Sequence, residues 1–406
     1  MTEPRLFLFD DRHARRWAPF TLTRPAGELL FGCMSLRERA ERVFELSCSG
    51  HVSRSALVGF DEPGASPGVS LSDVGTEGVR ILLLSRAALD FQAIELPSSP
   101  ARIAVDGESV GWVLPDGEAL PDEAALRNPG ARATEGALTV DLRGQVIRHP
   151  WNLIEHNDAR LTDDFVHFWS DNSSPDGVIR IGDHELSLGY GASIEAGVHL
   201  DLRNGPIRLE EGASVEGPAR LTGPLFVGKH STILGGTVGT SSIGPSCLVR
   251  GEVAHSVLLG FANKAHDGHI GHAIVGRWVN LGAFTTNSDL KNNYRPVRVW
   301  TPGGEKDSGL LKVGCFLGDH VKTGIGTTLN TGSVIGAGSN VYGGAMPPSV
   351  VRPFSWGAGS DLHDHRLENF LDTASQAMTR RDQKLTPGVI EILRAAWQAT
   401  ARRRAE

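Results

Sequence analysis

Three histidines, His266, His269 and His272, recur at every third residue of the stretch KAHDGHIGHAIVGRWVNLGAF. Imidazole titrates near neutral pH, so such residues can take up a proton in a general-base step or ligate a metal ion. A catalytic zinc site wants three protein ligands and an open position. In a coil built from six-residue sides, His266 and His272 would lie on adjacent sides and point apart, which argues against zinc and leaves no metal ligand set assigned. Near the N-terminus, Arg15, Arg16 and Arg24 offer guanidinium forks that match phosphate oxygens. Beside them, Asp10 and Asp11 would repel a phosphate unless a cation intervened, and a turn or capping role is expected of them ahead of metal binding. Arg24 and Glu28 can equally form a structural ion pair beside a turn.

Those side chains need a frame. The 406 residues suit two or three domains, each with its own core. The formal charge of −7 argues against a general nucleic-acid binder, which favours a basic face. The 49 glycines are well above the usual ~7%, with no G-X-Y period, and suit an architecture that turns tightly and often. Cys33, Cys48, Cys247 and Cys315 show no CxxC spacing and read as reduced thiols. The first residues hold no apolar run of signal-peptide length, and no window reaches the ~18 apolar residues of a membrane span. A cytoplasmic protein without a membrane or nucleic-acid partner is expected.

Three regions separate by pattern. Residues 1–172 alternate short apolar strands (Leu6 to Phe9, Ile81 to Leu84) with helical stretches such as Leu36 to Phe44, which predicts an α/β layer domain. The stretch from Asp61 to Asp73 reads as an exposed loop, and Asp171 to Gly177 has linker composition. Residues 178–356 carry a six-residue period: Val215, Leu221, Val227 and Ile233 are six apart, and an aliphatic-glycine pair recurs, as in Val227-Gly228, Val275-Gly276 and Ile335-Gly336. This period is neither 3.6 nor 2 and marks a hexapeptide β-solenoid of roughly eight to ten coils at about 18 residues each. The aliphatic is expected to point inward and the glycine to form the corner, where positive φ is tolerated. The period breaks from Thr285 to Leu311, an excursion with a turn at Pro302-Gly303-Gly304, and such loops commonly bind ligands. Residues 357–406 are expected to be helical. Leu367, Phe370, Leu371, Ala374 and Met378 share one face, and Thr386-Pro387 starts a second helix that ends in Arg402-Arg403-Arg404.

Taken with PFTLTRPAGELLFG (Pro19 to Gly32), HPWNLIEHN (His149 to Asn157) and His266 to Tyr294, this order of regions resembles the bifunctional UDP-N-acetylglucosamine pyrophosphorylase / glucosamine-1-phosphate N-acetyltransferase family, in a divergent bacterial branch. The resemblance implies a nucleotidyltransferase-like (Rossmann-like) α/β domain, a left-handed parallel β-helix of hexapeptide repeats and a C-terminal helical tail. His266, Gly271 and Asn280 keep the spacing of the family's acetyltransferase motif, so His266 is implied as the general base that deprotonates a sugar amine before it attacks acetyl-CoA. His269, Asn280 and Lys264 would contact the acceptor, and Asn287, Lys291 and Tyr294 the coenzyme. Arg16, Pro19, Thr21 and Pro25 keep the spacing of the nucleotidyltransferase loop, which makes Arg16 and Arg24 the implied nucleotide contacts. UTP or another nucleoside triphosphate would be a substrate of that half, with Mg²⁺ as its metal. Neighbouring solenoids of a homotrimer would complete the coenzyme cleft.

The sequence also departs from the family pattern. The loop DDRHAR has no glycine, Ala26 stands at the usual lysine, Ser85-Arg86 at the metal-binding aspartate, and Ala254-His255-Ser256 at a basic pair. Two other functions suit the same residues: a nucleotidylyltransferase whose solenoid is purely structural, and a non-catalytic sugar-nucleotide-binding regulator.

Overall fold

The computed structural model describes residues 3–131 and 138–405. The N-terminal region builds a seven-stranded sheet from β1 (Arg5–Phe9), β2 (Cys48–Val52), β3 (Gly68–Val69), β4 (Arg80–Leu84), β5 (Ala101–Val105), β6 (Glu108–Leu114) and β7 (Leu138–Leu142). Their order is β7-β5-β6-β4-β1-β2-β3. Only β6 runs antiparallel to its neighbours. RLFLF of β1 and RILLL of β4 are buried almost throughout, as strands covered on both faces must be. Helix α1 (Leu36–Phe44) begins at a capping box in which Ser35 and Glu38 satisfy each other's backbone N–H, and its apolar side packs on this sheet. The chain leaves β1 toward β2 on one side and returns to β4 on the other. The carboxyl end of β1 is therefore a topological switch point, where open α/β sheets bind ligands.

The second region is a parallel β-helix. Down one wall, Ser187, Arg208, Phe226, Ser242, Val257, Ile274, Phe316, Val334 and Val350 stand over one another, making nine coils among the described residues. Val215, Leu221, Val227 and Ile233 are all buried inside, as the six-residue period requires. The coils are not uniform: Ser214 pairs with Thr232, but Ser242 with Val257.

Gly182 and Gly326 of the repeat have the expected positive φ, but most of the repeated glycines serve a different purpose. Many left-handed corners are taken by side chains such as Ser246, Phe261, Trp278, His320 and Phe354, while Gly228, Gly244, Gly276, Gly318 and Gly336 do not have positive φ. A Cβ on Gly276 would come within 2.7 Å of Asp319 N, and one on Gly336 within 2.2 Å of Pro353 N. Glycine recurs because the next coil lies directly against it.

The excursion starts later than expected, because Thr286–Asn287 still pairs with Thr328–Leu329 in the solenoid. Its hairpin, Arg298–Thr301 with Gly304–Asp307, folds back instead of standing free. Val297 and Val299 join Trp17, Phe20, Phe31 and Trp151 of the N-terminal domain, together with Val257, Ile274, Phe316 and Val334 of the solenoid wall, in one apolar cluster. Helix α2 (Asn157–Phe168) adds a polar joint: Asn157 Nδ2 donates to Ser242 Oγ at 3.0 Å, and Ser242 Oγ donates to the Gly32 carbonyl at 2.7 Å. The solenoid runs past its expected end at 356: Ser355–Ala358 still pairs with Asn340–Tyr342 and turns back antiparallel on Asp361–Asp364, so the helical region begins only at Leu367. Helices α3 (Leu367–Thr379) and α4 (Pro387–Ala405) pack on each other and on Phe354. Thr386 Oγ1 accepts from Val389 N at 3.2 Å, the expected cap, and the side chains of Arg402 to Arg404 lie outside the described residues. All four cysteines are buried and free. Among the described residues no helix is long and apolar enough to cross a membrane.

A buried ion cluster ties the two domains together. Arg24 donates through Nε to Asp319 at 2.9 Å and through Nη2 to both oxygens of Glu62 at 3.1 Å. Thr23 donates to Asp319 at 2.6 Å, and Arg277 Nε lies 3.0 Å from Glu62. The Asp61–Asp73 stretch is therefore not simply an exposed loop, because Glu62 is 7% exposed and reaches into this joint. Removing one partner of such a cluster strands a buried charge. Asp319→Ala is expected to lower unfolding stability by about 3–5 kcal/mol in urea titrations; a loss within ~0.5 kcal/mol would contradict this account.

Candidate functional site

The sheet's switch point is filled by the chain itself. Asp10 follows β1 directly, and its carboxylate accepts from Ser53 Oγ after β2, Ser85 Oγ after β4 and the Ala26 amide. Asp11 accepts from the His13 and Ala14 amides at 3.0 and 2.8 Å and takes a fork from Arg86, with Nη2 at 2.7 Å. Both carboxylates are 1% exposed. They organise the DDRHAR loop, which winds into the 3₁₀ turn Ala14–Arg16 in place of a glycine cradle. Arg86 stands where the resemblance implies a metal-binding aspartate, and it neutralises Asp11. These residues do not fit Mg²⁺, since each carboxylate oxygen already has donors and the Arg86 guanidinium neutralises Asp11. Among the described residues no group of three or more His, Cys, Asp or Glu could hold a metal ion.

Arg24 is 1% exposed and committed to Glu62 and Asp319, not to Glu28. Burial pulls its pKa down, and Asp319 and Glu62 more than reverse this, so it stands above the ordinary arginine value. Its Nε and Nη2 donate to protein carboxylates, and its burial keeps it from a nucleotide. Glu28 instead meets Arg37 and His51, each at 2.7 Å. Arg16, by contrast, is exposed.

On the solenoid, His266 is exposed in the turn between Asn263–Lys264 and His269–Gly271. Lys264 takes the inward position that Val249 holds in the coil before. It is 3% exposed, and its ammonium donates to the Arg250 carbonyl at 2.6 Å and the His266 carbonyl at 2.8 Å. Burial lowers its pKa to about 8. Lys264 thus pins the turn carrying His266 from inside and does not face an acceptor. The corner continues along the next coils: Phe284 N donates to the Asp267 carbonyl, and Gly326 N to the Ala283 carbonyl. Phe284 and Ile325 on this ridge are 63% and 75% exposed.

Asn280 faces outward and accepts from Asn263 Nδ2 at 2.6 Å in an amide stack. His269 lies 3.2 Å from Glu252 and 3.9 Å from Asp289, with its ring over Gly271, where a Cβ would strike Nε2 at 2.4 Å. His272 Nδ1 is 2.7 Å from Asp289, and its ring stacks on His255 at 4.7 Å. Asn287 is turned into the wall, where its amide bonds both N–H and C=O of Gly271. It holds coils together and is not open to a coenzyme. Lys291 donates to the Pro296 carbonyl at 2.9 Å, and Tyr294 is 71% exposed on the excursion. The structure thus gathers His266, His269 and Asn280 on neighbouring outer surfaces of adjoining coils. Lys264 and Asn287 face inward, and Lys291 and Tyr294 lie on the excursion. The sequence reading missed Asp289, which lay unmarked inside the excursion, and Asp319, whose glycine-aspartate context looks like any other corner.

Comparisons with known proteins agree with this architecture. Residues 6–172 match the family model described as sugar nucleotidyl transferase. A bifunctional sugar-1-phosphate nucleotidylyltransferase/acetyltransferase from Sulfurisphaera tokodaii is 36% identical over 95 residues, covering 23% of this chain and 24% of that protein. The bifunctional protein GlmU of Methanocaldococcus jannaschii is 30% identical over 125 residues, 30% of this chain and 28% of its own length. That of Methanococcus maripaludis is 33% identical over 88 residues, 22% and 21% of the two chains. The aligned stretches span about a quarter of the length of these curated relatives. They bear out the resemblance to the bifunctional family, with a nucleotidyltransferase-type domain in front of a hexapeptide solenoid.

Asp289 is the hub of the imidazole cluster. The hydrogen bond from His272 holds its carboxyl below the usual range; burial opposes this, and the charges of His272, His269 and Lys312 add to it. A lowered carboxylate pKa stabilises the fold above the unfolded value and is lost as pH falls through the folded one. Asp289→Asn is therefore expected to lower the urea midpoint at pH 7. That difference should shrink as the pH is taken down from 3.8; a difference that does not change with pH would show that the pairing is not electrostatic.

Proposed function

We propose that the chain is a sugar-nucleotide biosynthesis enzyme that transfers acetyl from acetyl-CoA to the amine of an amino-sugar phosphate of the glucosamine-1-phosphate type. His266 takes the proton from the sugar amine. The nitrogen attacks the thioester carbonyl, and the tetrahedral intermediate expels the coenzyme thiolate, which takes up a proton to leave free thiol and the N-acetyl sugar phosphate. The observation that carries this reading is the exposed His266 ring on a turn pinned from within by Lys264. Histidine suits the step because its pKa lies near the working pH. Proximity in a cleft supplies much of the remaining rate. His269 and Asn280 line the acceptor side, and Lys291 and Tyr294 the coenzyme side. The exposed Phe284 and Ile325 beside His266 support a homotrimer whose neighbouring copy closes the cleft.

The N-terminal half is proposed to bind a phosphorylated nucleotide or sugar through Arg16. The Sulfurisphaera tokodaii relative is named for sugar-1-phosphate nucleotidylyl transfer, and UTP-dependent pyrophosphate release is the corresponding assay here. A second reading, a front half that binds a sugar nucleotide without turning it over, is favoured by the commitment of Asp10 and Asp11 to protein donors.

The test is free thiol release from acetyl-CoA with glucosamine-1-phosphate and a panel of amino-sugar phosphates. His266→Ala is expected to lower the rate by about 10²–10⁴-fold while the oligomer, read by gel filtration, stays intact. No release with any acceptor would overturn the acyl-transfer reading and leave the solenoid as scaffold.

A further inference from the structure

An open cavity of ≈ 680 Å³ lies between the loop after β1, the excursion hairpin, the last solenoid coils and α4. Arg15, Arg16 and Arg54 line it from the N-terminal domain, Trp300 and Pro302 from the hairpin, and Arg352 from the final coils. No Asp or Glu is among the described residues lining it. Arg15 has partners: Nε donates to the Asp10 carbonyl at 2.9 Å, Nη1 to Glu123 at 3.2 Å and Nη2 to the Ser53 carbonyl at 3.1 Å. Arg54 donates to the Arg15 carbonyl, which holds the two side by side. Arg16 and Arg352 are exposed, and among the described residues neither side chain makes a hydrogen bond or ion pair.

Converging like charges repel one another and disfavour a closed packing unless an anion sits among them. Guanidinium forks bind phosphate oxygens through paired, charge-assisted bonds. The volume is that of a small-molecule site, with an indole and prolines forming an apolar side. Asp10 and Asp11 are committed to protein donors, so arginines supply the positive charge around this space.

We propose that this cavity is a composite anion site for a diphosphate ester, bridged between the domains by Arg16 on one side and Arg352 of the solenoid on the other. The diphosphate belongs either to a nucleotide or to coenzyme A, and the two share the chemistry the arginines recognise. A ligand spanning both arginines links the N-terminal half to the solenoid and stabilises their joint by mass action. The proposal rests on the reading that the N-terminal half binds a phosphorylated ligand, and it adds where that ligand sits and that the solenoid helps hold it.

The experiment is isothermal titration calorimetry of the full chain with inorganic pyrophosphate, UDP and coenzyme A, at low and moderate salt. Pyrophosphate is expected to bind, more weakly as salt rises, and one of the two larger ligands to bind more tightly. Arg16→Ala and Arg352→Ala are each expected to weaken binding by about ten- to a hundredfold, and Arg352→Lys by less. Arg102→Ala, outside the cavity, is expected to bind like the wild type. Circular dichroism melts establish that each variant is folded, and pyrophosphate is expected to raise the melting temperature of the wild type more than that of Arg352→Ala. Loss in Arg16→Ala with unchanged binding in folded Arg352→Ala would overturn the shared site and leave phosphate binding by the N-terminal domain standing. Absence of binding to the wild type at millimolar pyrophosphate would overturn both, and thiol release would still report acyl transfer separately.

Discussion

The contact between Arg24 and Asp319 is the constraint on which the rest of the architecture turns. A guanidinium from the N-terminal loop and a carboxylate from a solenoid corner meet out of water, and Glu62 and Arg277 close the charge balance. Pairs of this kind are retained only with good geometry and full partnering, because a desolvated charge left alone is costly. Asp319 Oδ1 also accepts from the Arg277 amide at 2.9 Å, which couples the joint to the backbone of the coil above. The Pro19 to Pro25 segment, which carries much of the likeness to nucleotidyltransferases, is thereby spent on docking against the solenoid, and this determines which of its arginines remain open.

The apolar half of the same joint explains a feature of the repeat. On most walls of such a coil the inward residue is aliphatic and the outward one polar. On the docked wall, Val257, Ile274, Phe316 and Val334 face outward beside the inward Leu258, Val275, Leu317 and Ile335. Consecutive aliphatics in these coils mark a wall covered on both sides. With that wall occupied, the outer surfaces that remain open carry His269, Asn280 and the corner with His266. Docking the front domain thus selects which part of the prism can face a neighbouring copy.

The front domain keeps a crevice at the switch point of its sheet but fills it with its own side chains. Asp10 joins the ends of three strands through Ser53 and Ser85, and Asp11 is held by Arg86. Space for a ligand reappears farther out, beyond Arg15 and Arg16, where the excursion hairpin and the last coils form the opposite wall. A site that lay within one domain would thus be shared between two.

The sequence alone determined the kinds of element and their order, while the strand pair Ser355–Ala358 and Asp361–Asp364 moved the start of the helical region. The six-residue period, the continuous apolar strands and the Thr386-Pro387 helix start each follow from local stereochemistry and burial, and all are found where the patterns put them. The aspartates after β1 were legible as turn-formers because a short carboxylate next to a strand end has backbone donors within reach. The purpose of the glycines was not legible, since positive φ and close coil approach both demand glycine and only the stacked backbone distinguishes them. Nor could sequence separate Arg16 from Arg24, two arginines eight positions apart in one loop. Whether a guanidinium faces an open cavity or a buried carboxylate almost three hundred residues away is decided by which wall of the solenoid the domain packs against. Lys264 and Asn287 teach the same lesson: alternation along a short strand leaves inward and outward open by one residue, and only the register of the coil above settles it.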